Sequence, residues 1–180
     1  MKSLKWLLTI GLVTFAVQGG NACIEELDLK KMVSKADVAV HGTVTNIRTV
    51  KFTPENDDRL IFTVLTIEGK SLYSDSPISV EAAFLGGTYQ GDSMMVTSMP
   101  APSEYRLGNK VVVFSGKVEG WGPDINRCVY AAMGGIFRTI ETKNGAVVLG
   151  KGEGFAVENN QLIADLANNI ALAQRDKEAR

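Results

Sequence analysis

Asp37-Val38-Ala39-Val40-His41-Gly42-Thr43-Val44-Thr45-Asn46-Ile47 is the stretch in which the chain changes its period. Val38, Val40, Val44 and Ile47 sit among Thr43, Thr45 and the nearby Thr49. β-Branched residues at this density fit a pleated, half-buried strand better than a helix. Gly42 interrupts the run and predicts a bulge or a sharp bend inside the strand.

The same chemistry recurs downstream. Phe52 to Arg59 is polar, with Pro54 and Asn56-Asp57-Asp58, and reads as a loop or hairpin turn. Leu60 to Ile67 is a second strand, ended by Glu68-Gly69-Lys70, and Ile78 to Phe84 a third. Gly86-Gly87 opens a longer segment reaching Gly108, with a short strand expected near Met94 to Thr97 and then a loop. Lys110 to Ser115 is Val-rich and predicts a central strand, and Arg127 to Ala132 another, carrying Cys128. Between them, Gly116 to Asn126 is a turn region around Trp121. Gly135 to Glu141 and Ala146 to Leu149 flank Lys143-Asn144-Gly145, and Asn-Gly between two such runs signals a hairpin.

Both ends read as helix. Ile24 to Ala36 places Ile24, Leu27, Met32 and Val33 on one broad face, with Asp28 as N-cap if the helix starts late. Near the C-terminus Leu162, Ile163, Leu166, Ile170 and Ala173 fall at helical spacing, with Asn159 or Asn160 to cap the start. The pattern is therefore helix, about seven short strands, helix. Strands and helices do not alternate, which excludes a doubly wound parallel sheet and leaves a barrel or a sandwich.

Residues 1–22 read as a secretory signal peptide. Lys2 and Lys5 form a positive n-region, Trp6 to Val17 an apolar core, and Gly20 and Ala22 supply small residues for cleavage before Cys23. The apolar run is short of the roughly 20 residues that a spanning helix needs. A lipid anchor on Cys23 is the alternative, but Gly20 stands where bacterial lipoprotein signals place Leu. The expected product is one domain, residues 23–180, secreted or periplasmic. A formal net charge of −1 gives no footprint for nucleic acid. In an oxidising compartment the two cysteines, Cys23 and Cys128, predict one disulfide closing a loop of roughly a hundred residues. The chain-entropy model gives such a loop about 4.7 kcal/mol.

No catalytic constellation is legible. His41 is the only histidine and lies inside a strand, so a nucleophile–histidine pair and a usual zinc site both lack members. Glu55, Asp57 and Asp58 lack calcium-loop spacing. Gly150-Lys151-Gly152-Glu153-Gly154 lacks the Lys-Ser/Thr pair and the following helix of a phosphate loop. No catalytic residue, metal ligand or cofactor is expected. Met94, Met95 and Met99, with Phe84, Leu85 and Tyr89 nearby, read as core filling or as an adaptable apolar binding surface. Cys23, as first mature residue, presents an α-amine with an ordinary pKa near ~8, and a deprotonated amine beside a carbonyl can chelate a metal held by another protein.

An N-terminal Cys23, a short segment, then Ala36-Asp37-Val38-Ala39-Val40-His41-Gly42-Thr43-Val44 resembles the opening of the tissue inhibitors of metalloproteinases and related netrin-like domains. Ile67-Glu68-Gly69-Lys70-Ser71-Leu72, Gly86-Gly87 and Tyr105 to Phe114 resemble exported bacterial proteins. The first resemblance implies an OB-like (netrin-like) antiparallel β-barrel with a short N-terminal helix and a C-terminal helix. It also implies a secreted zinc metalloprotease as partner, with Cys23 as chelator and Ile24 as the specificity-pocket residue. Glu25 stands where that family carries its second cysteine. The second functional expectation is an envelope-associated accessory protein that binds a partner chain or a carbohydrate through Gly86 to Pro102.

Overall fold

The structure, a computed structural model, describes residues 27–53, 60–122 and 124–178. It is mainly β, with 46% strand and 18% helix. Helix α1 (Leu29–Lys35) starts late, as Asp28 allows: the Asp28 carboxylate accepts the Lys31 N–H at 2.7 Å. Strands β1 (Val38–Phe52), β2 (Leu60–Ser71) and β3 (Pro77–Leu85) follow, then β4 (Gly87–Tyr89) and β5 (Asp92–Met94). The chain continues through β6 (Lys110–Lys117), β7 (Arg127–Val129), β8 (Ile136–Thr142), β9 (Gly145–Val148), β10 (Gln161–Leu162) and helix α2 (Ile163–Glu178).

β1 and β2 are longer than their sequence signals, 15 and 12 residues: β1 runs on to Phe52, and Gly69 does not end β2. The two glycines face each other in register. A Cβ on Gly42 would lie 2.4 Å from the Glu68 carbonyl oxygen, and one on Gly69 2.1 Å from that of His41. The pair thus lets two backbones touch, and the bulge sits further on, at the register shift between Val44 and Asn46.

Five strands close into a barrel in the order β1-β2-β3-β7-β6, with β6 returning to β1. Four seams are antiparallel. The fifth, β3 to β7 at Ala83 and Cys128, is parallel. The barrel is thus mixed where a mainly antiparallel one was expected, and the reason is parity: an odd ring of strands cannot alternate direction all the way round.

Val40, Val44, Leu65, Ile67, Phe84, Val111 and Val113 fill the barrel interior. The opposite face of β6, Val112 and Phe114, packs with Phe137 and Val148 against Met32 and Val33 of α1 and Leu166 and Ile170 of α2. β6 is therefore covered on both faces, as its unbroken apolar run predicts; Val111, Val112, Val113 and Phe114 are wholly buried. A third cluster, Phe62, Val64, Ala83 and Ile125, lies under Trp121, which stacks on Phe62 at 4.8 Å between ring centres.

The expected hairpin forms at Lys143-Asn144, but only Gly145 takes a positive φ, +113°. A two-residue type I′ turn would need positive φ at both central residues. Asn160 does not cap α2; its side-chain oxygen accepts the Gly150 N–H at 2.9 Å, and β10 leads straight into the helix.

Candidate functional site

Cys23 and Ile24 lie outside the described residues, as do Glu55, Asp57 and Asp58. The Cys23 half of the predicted disulfide is therefore not described, and among the described residues Cys128 has no disulfide partner. It is half-buried on β7 opposite Gly116, and burial pushes the thiol up from its usual range.

His41 is partly buried, its Nε2 3.3 Å from the Thr139 hydroxyl. Burial lowers its pKa; Glu141 opposes that shift and Lys110 adds to it, and those two pair at 2.6 Å. Among the described residues no three His, Cys, Asp or Glu side chains gather as metal ligands. The Gly150–Gly154 segment folds back on its own chain: Lys151 N–H donates to Val157 O and Gly152 N–H to Glu158 O, both at 2.9 Å. The Lys151 ammonium turns away from any phosphate geometry, to the Met133 carbonyl and, at 2.5 Å, to Glu104.

The methionines do converge. The β4–β5 hairpin lies over the β1–β2 arm, where the buried Thr63 hydroxyl donates to Gly86 O and Gly86 N–H donates to Ile61 O, each at 2.7 Å. Gly86 and Gly87 take φ of +109° and +139°, and a Cβ on Gly87 would sit 2.5 Å from the Thr63 oxygen. Only glycine allows that approach. Beyond Met94 the chain makes a pinned loop. Ala101 N–H donates to Glu104 at 2.9 Å, the Asn109 amide to Ser103 O at 2.8 Å, and Gly108 N–H to Val44 O at 2.9 Å.

Between this loop, the hairpin and the β1 strand runs a mostly apolar groove of about 550 Å³, bordered by Ile47, Met94, Met95, Met99, Pro102 and Tyr105. Met99 and Tyr105 root it in the barrel core, and Tyr105 meets Phe84 edge-on at 5.0 Å. Met95 is 90% exposed and Leu107, on the same loop, 66%. The Met cluster was legible in the sequence. Leu85 packs instead in the Trp121 cluster, and Phe84 in the barrel core. Ile47 and Tyr105 were not marked, because strand and loop residues far apart in sequence share the groove only after the barrel closes.

No helix among the described residues is long and apolar enough to cross a membrane. No protein-family model matches the chain, and no curated protein or solved structure matches it.

Proposed function

We propose that residues 23–180 form an exported, non-enzymatic binding domain on an OB-like barrel, and that the Met-lined groove holds an apolar segment of a partner chain. The exposure of Met95, which lines the groove, carries this reading. Large apolar side chains left in water next to a concave apolar surface mark an interaction site, and methionine adapts its shape to different partners. A five-stranded ring with a long connection between β3 and β6 supports the OB-like reading. A carbohydrate fits less well, since the groove's aromatic ring, Tyr105, is engaged with Phe84 and apolar residues dominate the lining.

The test is selection of a displayed random 12-residue peptide library against mature protein, with a glycan array alongside. Peptides whose binding is lost in Met95→Asp, at unchanged melting temperature, support the reading. Glycan binding with no peptide enrichment overturns it.

The resemblance to metalloproteinase inhibitors motivates a second proposal, supported by the closed barrel: the Cys23 amine and carbonyl chelate a protease zinc, with Ile24 in the adjoining pocket. Titrating mature protein against secreted zinc proteases, with and without an alanine added before Cys23, tests it. Inhibition that is unaffected by the added residue rules chelation out.

A further inference from the structure

The groove has a second property, set by the backbone beside it. β1 pairs with β2 from Val40 to Phe52, but with β6 only from Val38 to Thr43. Val44 still bonds the loop, accepting from Gly108 N–H and donating to Asn109 O at 2.9 Å. There the loop parts from the strand. From Thr45 to Phe52 the second edge of β1 has no backbone partner among the described residues. The groove opens along this edge, with Ile47 and Thr49 on its floor.

Both faces of the arm are partly covered. The β4–β5 hairpin sits on one, and on the other Val50 and Phe52 pack in the Trp121 cluster. The arm is therefore a half-buried strand whose second edge has no backbone partner among the described residues. Natural edge strands are usually shortened, bulged or covered, because their free N–H and C=O groups pair with any extended chain. Here the one bulge, at Thr45, lies at the very start of the open stretch.

Resting on the groove reading, we infer that the partner binds as an added β-strand. Its backbone pairs with Asn46 to Phe52, and its alternate apolar side chains enter the groove between Ile47, Met95, Met99 and Tyr105. Only a polypeptide offers donors and acceptors alternating at strand spacing, which narrows the ligand to an extended segment. Arg48 and Lys51, the two cations of this stretch, are already paired with Glu81 at 3.1 Å and Asp92 at 2.6 Å. A second copy has Ile47 and Thr49 already lining its own groove, so pairing through the same edge would leave the groove unfilled. A separate extended segment fills it.

The probe is a synthetic peptide from the library selection. It is remade with one backbone nitrogen methylated at a time. Amide hydrogen exchange of the mature protein is followed with and without the parent peptide. Strand addition expects methylation at every second position to weaken binding tenfold or more and methylation at the intervening positions to leave it within twofold. It also expects exchange of amides between Asn46 and Phe52 to slow at least tenfold. A flat methylation scan with unprotected β1 amides, in a peptide still lost on Met95→Asp, overturns strand addition and leaves the groove reading standing. Failure of any peptide to bind overturns both. A protein that dimerises through protected β1 amides without peptide overturns the choice of partner.

Discussion

At His41 the ring lies between a barrel core that disfavours charge and an ion pair, Glu141 with Lys110, at the surface. Its folded pKa lies below the ordinary 6.5. Protons therefore bind the unfolded chain more readily as pH falls through that value, and this residue's contribution to stability is lost on the acid side. Urea unfolding between pH 7.5 and pH 5.5 should show falling stability, with the slope reduced in His41→Gln. Gly69→Ala places a Cβ against the His41 carbonyl and Gly42. It should cost about 1–3 kcal/mol by the same assay, as overpacking does. Cys128 tests the proposed bridge. Mature protein should be lighter by two hydrogens before reduction than after it. In Cys23→Ser, iodoacetamide should modify Cys128 with a pH midpoint above the usual thiol range of about 8.5, because burial raises it. Equal masses before and after reduction would remove the disulfide.

At the scale of elements, α2 is held by one face. Leu166 and Ile170 are wholly buried and Ala173 nearly so, while the exposed Leu172 points away. Ile170→Ala should cost about 2–5 kcal/mol, the usual price of a large-to-small change in a packed core. The β4–β5 hairpin and its loop behave differently, since their tips bear no core. Leu107→Asp should leave stability within about 0.5 kcal/mol in urea unfolding, as surface substitutions do. Helix faces and the Asn144-Gly145 hairpin were legible because their signals are local: period, cap and turn residue. The ends of β1 and β2 were not. A glycine in a strand reads as a break until another glycine is seen opposite it, and only pairing register reveals that Gly42 faces Gly69. The same holds for Asn160, a cap by position that bonds Gly150 instead.

For the whole molecule, the sequence by itself determined a mainly β chain bracketed by two helices, a Val-rich central strand, and a cluster of methionines beside a double glycine. These follow from composition and from periods of two and 3.6, which any short window carries. It also carried the export signal and the two cysteines as expectations. Closure of the sheet was decided only in three dimensions. The number of strands in the ring made one seam parallel, which no local pattern encodes. β6 also stops pairing with β1 at Thr43, and among the described residues the edge beyond Val44, next to the methionines, has no backbone partner. The candidate site is thus half local and half tertiary. Its apolar side chains can be read along the chain, but its groove and its unpaired backbone exist only because strands distant in sequence meet, and part, at Val44.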